Sequence, residues 1–177
     1  MRNVNNSQFP EIKTGNLVLR KLKISDRSDI FAIRSDKGIA EYLDRSICRT
    51  LKEAAEFIEK INNGINRNES FYWAVTGKNN QGLMGTICMW YLSADRLVAE
   101  VGFEILPSFQ GKGIMSEALC AIIEFGFNQI GLKFIEGTVH RNNIRSIKLL
   151  QKNNFKLKPG TPSEEDQEMI TYRLAKR

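Results

Sequence analysis

Histidine and cysteine are scarce in this chain of 177 residues. His140 is the only histidine, and Cys48, Cys88 and Cys120 are widely spaced, with no CxxC pair. That scarcity argues against a metal site and against a disulfide framework; it fits reduced thiols in a cytoplasmic protein. No run of 18 apolar residues exists, so no membrane span is expected. The opening MRNVNNSQFPEIKTGN lacks the apolar centre of a secretory signal. No Pro/Gly/Ser-rich linker, internal repeat or low-complexity tract divides the chain. A single domain over residues 15–177 is expected, preceded by a polar extension over 1–14. No block of like charges and no zinc-finger, RNP or helix-turn-helix signature is present, so no specific nucleic-acid site is expected. The net charge is nevertheless +6, from 26 basic and 20 acidic residues. A basic surface of that kind is compatible with a polyanionic cofactor or with docking near a ribosome.

The apolar residues that are present fall into clear periods. "NLVLRKL" alternates Leu17 and Leu19 against Val18 and Arg20, as a half-buried strand does. Ser25 and Asp26 offer N-cap oxygens to a helix carrying Ile30, Phe31 and Ile33. "TLKEAAEFIEKI" places Thr50 and Glu53 in capping-box spacing ahead of an apolar stripe at Ala54, Phe57, Ile58 and Ile61. "FYWAVT" and "LMGTICMWYL" flank the turn-rich "GKNNQG" and predict a hairpin. "LVAEVGFEIL" alternates strictly, with Glu100, Gly102 and Glu104 on one face and Ala99, Val101, Phe103 and Ile105 on the other; Pro107 ends it. A strongly apolar helix is predicted from about Gly113 to Ile130, with Gly131 at its C′ position and Cys120 inside it. "KFIEGTVH", a helix over Asn143–Asn153, a left-handed Asn154, "FKLK" and "EMITYRLAK" complete the series. These elements predict a mixed sheet with helices on its faces.

The question is why Gln110-Gly111-Lys112-Gly113 stands at the entrance of the apolar helix. Glycines there weaken a helix start, so they either make a turn or let something approach the backbone. A glycine loop opening a helix is a general way to hold phosphate, because the first-turn N–H groups point outward and the helix dipole favours negative charge there. Neither the Walker pattern nor GxGxxG is satisfied, however. Taken alone, GKG suits a plain turn better than a cradle.

In context, "AEVGFEILPSFQGKGIMSEAL" followed by "VHRNNIRSIKLLQKNNF" resembles the GNAT family of N-acetyltransferases, in particular its RimJ/RimL-like branch. The family's acyl-CoA motif is matched by Gln110, Gly111, Lys112, Gly113, Ile114 and Met115, with Met115 where Gly or Ala is usual. Leu17–Arg20, Asp26–Phe31, Asn143–Ser146 and Lys152–Phe155 extend the likeness over about residues 15–175. The resemblance implies an α/β (α+β) fold: a mixed, twisted, mostly antiparallel sheet of about seven strands, splayed between the fourth and fifth, with helices on both faces. It implies acetyl-CoA as cofactor, its diphosphate on N–H groups from about Gly111 to Met115, and main-chain groups near Ile105 and Leu106 free for the pantetheine arm.

The same resemblance makes Glu100 the leading general base, acting through water, with Glu104 on its face as the second candidate. A carboxylate partly withdrawn from water beside another suits proton abstraction. Ser146 would protonate the departing sulfur. Asn143 would bond pantetheine, or serve only as an N-cap. Arg141, Arg145, Lys148 and Lys152 form a basic stripe that is either solvated or bound to the cofactor's ribose phosphate. His140 has no partner carboxylate in its motif. The implied acceptor is a primary amine: a protein N-terminus, with that of a ribosomal protein the leading case, or a small molecule. Segments Ile39–Arg49 and Lys158–Gln167 would shape its pocket. Exposed edge strands offer a route to a homodimer. The competing reading is a non-catalytic acyl-CoA-binding or RNA-associated module on the same scaffold.

Overall fold

The computed structural model describes residues 9–43, 45–79, 82–91, 93–159 and 168–176. Most of the expected extension, the centre of the hairpin loop and residues 160–167 of the expected acceptor segment lie outside the described residues. In chain order the elements are β1 (Ile12–Lys13), β2 (Leu17–Arg20), α1 (Arg27–Ser35), α2 (Lys37–Ala40), α3 (Leu51–Asn66), β3 (Ser70–Gly77), β4 (Gly85–Tyr91), β5 (Val98–Ile105), α4 (Ile114–Phe125), β6 (Phe134–His140), α5 (Ile144–Lys152), β7 (Lys156–Leu157) and β8 (Met169–Ala175). They build one eight-stranded sheet in the order β1-β2-β3-β4-β5-β6-β8-β7. Every neighbouring pair is antiparallel except β5 with β6. The strand beyond the expected seven is the two-residue β1, which lies ahead of residue 15 and pairs Ile12 with Leu19.

Strand alternation divides the apolar residues between two cores. On one face, Leu19, Trp73, Val75, Ile87, Met89, Val101 and Ile135 pack beneath α4 and α5. On the other, Tyr72 and Ala74 pack with Ile30 and Ile33 of α1 and with Ala54 and Ile58 of α3. Trp73 is fully buried, and its indole N–H donates to the Pro10 carbonyl at 2.8 Å, so its one polar atom is satisfied. α5 comes close to β6 because Gly137 has no side chain: a Cβ there would sit 2.9 Å from a Leu150 methyl. That close approach brings the start of α5 alongside β6.

Several local expectations hold, and some need correction. Thr50 caps α3, its Oγ1 accepting from the Glu53 N–H at 3.1 Å, but the capping box is only half made, because the Glu53 carboxylate accepts from Arg49 N–H at 2.9 Å rather than from Thr50. Gly131 and Asn154 adopt the left-handed conformations assigned to them. Asp26 does not cap α1 with its side chain. A 3₁₀ turn over Ile24–Asp26 precedes the helix, and the carboxylate instead takes two 2.8 Å bonds from the Arg20 guanidinium and one from Lys23 N–H. Burial alone would raise the Asp26 pKa; the Arg20 and Lys23 contacts outweigh it and hold the carboxyl below its ordinary value. Cys120 is exposed rather than enclosed in α4, and its thiol lies 3.0 Å from Asn153 Oδ1. The apolar helix also changes winding: its last turn, Gly126–Ile130, is π-helical.

Candidate functional site

β5 and β6 are paired only at Val98–Phe134, Ala99–Ile135 and Glu100–Glu136. Beyond Glu100 the two strands separate, although β5 runs to Ile105 and β6 to His140. This split is the opening implied between the fourth and fifth strands. Its apex is closed by a side chain. Glu100 Oε1 accepts from the Thr138 N–H at 3.2 Å, a donor that a continued ladder would use for main-chain pairing.

The expected free main-chain groups need one correction. Leu106 N–H donates to the Met84 carbonyl at 3.0 Å, so it faces β4. Antiparallel pairing alternates the direction of backbone groups along a strand. Ile105 and Phe103 therefore turn their amide and carbonyl groups toward the split, and Leu106 does not. Phe103 was not singled out from the sequence, although the strict alternation of this strand carried the necessary parity. The Ile105 carbonyl accepts from Gln110 Nε2 at 3.4 Å, and Gln110 Oε1 accepts from Arg145 Nη1 at 2.6 Å. Gln110 thus ties the end of β5 to α5.

The glycine loop follows. Gly111 and Gly113 have φ of 74° and 79°, in the region where a side chain is strained. A Cβ at either position would meet no protein atom within 4 Å. The conformation requires glycine, and the space beside it is open. Gly113 is the N-cap of the 12-residue α4 and supplies no side-chain cap. The N–H groups of Ile114, Met115 and Ser116 donate to no described residue. Glu117, the acid of that first turn, points elsewhere: it accepts from Thr14 Oγ1 and from the main chain and side chain of Asn16. The unusual Met115 does not crowd the loop, because its side chain is buried in the core.

A cleft of about 1120 Å³ joins the split to this loop. Of the expected site residues, Ile105, Gln110, Gly111, Gly113, Ile114, Met115, Asn143 and Ser146 line it, whereas Glu100, Leu106 and Lys112 do not. Lys112 is exposed, with Nζ 5.7 Å from the Phe109 ring centre. Asn143 caps α5, its Oδ1 accepting from Ser146 N–H at 3.1 Å, and the Ser146 hydroxyl stays available at the cleft wall. From the basic stripe, Arg145, Lys148 and Lys152 line the cleft and Arg141 does not.

At the far end, the Tyr42 and His140 rings pack at a tilt of 39° with centres 5.2 Å apart, and the His140 ring accepts from Asn142 N–H through Nδ1. Glu104 lines the cleft, paired with Arg45 at 2.6 Å. Four residues along a strand span about 13 Å, so Glu104 cannot act as a like-charge neighbour of Glu100. Beside Glu104, burial and then that carboxylate's charge push the Cys88 thiol up to about 12, which keeps it protonated and unfit as an acyl carrier. Among the described residues no His/Cys/Asp/Glu group could hold a metal ion, and no helix is long and apolar enough to cross a membrane.

The α/β sheet is thus split beside two positive-φ glycines, with a helix start that carries no side-chain cap facing the gap. The chain belongs to the acetyltransferase (GNAT) domain family, whose model matches residues 16–156. It is 28% identical over 147 residues to the uncharacterized N-acetyltransferase YoaA of Bacillus subtilis (strain 168), covering 83% of each chain. In fold it is similar to a GNAT-family acetyltransferase from Bacillus anthracis, with a TM-score of 0.80, 21% identity and 94% and 98% of the two chains covered. It is also similar to RimL, the ribosomal L7/L12 alpha-N-protein acetyltransferase solved with coenzyme A. There the TM-score is 0.82 at 17% identity, again covering 94% and 98%.

Proposed function

We propose that this domain moves the acetyl group of acetyl-CoA to a primary amine by direct attack, with protein N-termini as the leading acceptor class. The observation that carries the reading is the set of donors at the start of α4. The N–H groups of Ile114, Met115 and Ser116 have no partner among the described residues, and the glycines before them leave open space. Those donors and the helix dipole suit a diphosphate. Arg145, Lys148 and Lys152 on the facing helix suit a further phosphate. The main-chain groups of Phe103 and Ile105, left without a β6 partner, suit the amides of a pantetheine arm.

When bound, the cofactor supplies an activated thioester; the chain supplies orientation and hydrogen bonds. An amide N–H on the split half of β5 would donate to the carbonyl oxygen on which negative charge develops, a contribution usually worth a few kcal/mol. The Ser146 hydroxyl, held by the Asn143 cap, is the donor for the leaving sulfur. Glu100, at the apex of the split, takes the amine's proton through water. RimL's name, with its ribosomal substrate, and the RimJ/RimL-like motifs favour a protein N-terminus over a small amine.

The test is release of free thiol from acetyl-CoA against a panel of N-terminal peptides and small amines. Acceptor-dependent release supports the reading. Coenzyme A that binds without any release, beside RNA binding that weakens steeply with salt, would overturn it in favour of a non-catalytic module.

A further inference from the structure

Glu104 and Arg45 lie 59 positions apart in the sequence and make a nearly buried ion pair at the cleft. Their side chains are only 11% and 13% exposed. Arg45 reaches Glu104 Oε1 with both Nε, at 2.8 Å, and Nη2, at 2.6 Å. It also donates to the carbonyls of Arg34, at 2.9 Å, and Ile33, at 3.4 Å, which end α1. One guanidinium thus fastens the segment after α2 to the last turn of α1 and to the split half of β5. A cation on those terminal carbonyls is favoured by the helix dipole as well.

All of Arg45's bonds to this carboxylate go to Oε1. Oε2 accepts from no described residue, and Glu104 lines the cleft. Oε2 is not sealed away either: among the described residues the fully buried side-chain oxygen without a partner is Asn62 Oδ1. Glu104 also precedes Ile105, whose main-chain groups face the split. One oxygen is therefore fixed, and the other has no partner among the described residues, on a side chain that lines the cleft.

We infer that Glu104 Oε2 receives an N–H of the acceptor amine, and that Arg45 is the positioning residue that fixes it there. This rests on the transferase reading above and names a residue that selects the acceptor. The pairing also suits the chemistry. A lone carboxylate would bind the ammonium form and hold its proton, whereas attack requires the neutral amine. Arg45 offsets that charge, so the pair orients an N–H without trapping a cation. An acceptor with an unhindered primary amine fits; a secondary or fully substituted nitrogen lacks the N–H to spare once attack begins.

The experiment compares wild type, E104Q and R45M/E104M in thiol release against amine concentration, with calorimetric binding of coenzyme A and Tm measured for each. In E104Q the amide cannot accept from Arg45 and from the amine on both sides. In R45M/E104M, Met side chains replace the pair without leaving a buried charge unmatched, so folding is kept. The expected result is an acceptor KM raised about tenfold or more in both variants, with unchanged coenzyme A affinity. Wild-type KM in either well-folded variant would overturn the assignment while leaving the transferase reading intact. Wild type that releases no thiol with any amine overturns that reading, and this one with it.

Discussion

Two helices of this protein begin in opposite ways. At α3, Thr50 Oγ1 accepts from the Glu53 N–H, and the Glu53 carboxylate accepts from the Arg49 N–H just ahead of the helix. At α4, Gly113 offers no side chain, Glu117 is turned toward Thr14 and Asn16, and the first N–H groups stay open. α3 is exposed at its start and does not line the cleft, while α4 faces the split. The lesson is that polar groups spent inside the fold mark stability, and polar groups left open at a cavity mark binding. The carboxylates divide in the same way. Asp26 is wholly spent on Arg20 and Lys23, while Glu104 is spent on one oxygen only.

The contrast can be broken by mutation, and the largest effect is expected where everything is spent. Asp26→Ala leaves a buried guanidinium without its carboxylate and is expected to cost about 3–5 kcal/mol of stability by denaturant unfolding, with little change in coenzyme A affinity of the folded fraction. The sign with pH follows from the lowered Asp26 pKa. Its contribution is complete above the unfolded carboxyl value near 3.9 and is lost as pH falls through the lower folded value. Asp26→Asn should flatten that acid limb; an unaltered limb would mean other carboxylates set it.

Glu100→Gln comes next. The amide oxygen can still accept from Thr138 N–H, so the split should survive while turnover falls about 10²-fold. Full turnover would reduce Glu100 to its structural contact. Gly113→Asn then gives α4 a side chain at its N-cap position, as α3 already has. Asn tolerates the left-handed conformation better than most residues with a Cβ, and its side chain would intrude on the open N–H groups, so Tm should fall only slightly while coenzyme A affinity falls about tenfold. Unchanged affinity would show that the open N–H groups bind nothing. The smallest effect belongs to Thr50→Ala, at about 1 kcal/mol of stability, with ligand affinity unmoved.

Much of this was readable before the structure. Strict alternation in "LVAEVGFEIL" placed Glu100 and Glu104 on one face and the apolar residues on the other, and the glycine loop marked the helix start that faces the cleft. Local chemistry also announced the Thr50 cap, Gly131 and Asn154. What stayed hidden depends on distant partners. Nothing near Arg45 in sequence points to Glu104, and nothing near Glu100 points to the Thr138 N–H. Asp26 looked like a cap because its neighbours fit one, yet Arg20 on the preceding strand competes for it and wins with a two-pronged bond. The direction of the Leu106 amide needed the register with β4, since a shift of one residue exchanges the two edges. Cys120 was placed inside because α4 is apolar on most sides; the side left open to solvent happens to be its own.

The fork between β5 and β6 is propped before any ligand arrives. Because Glu100 already occupies the donor at its apex, a slender molecule can slide in without unzipping a single rung of the ladder. Association then avoids the penalty of opening a closed seam, and encounter kinetics rather than strand rearrangement should govern how fast the cofactor is captured.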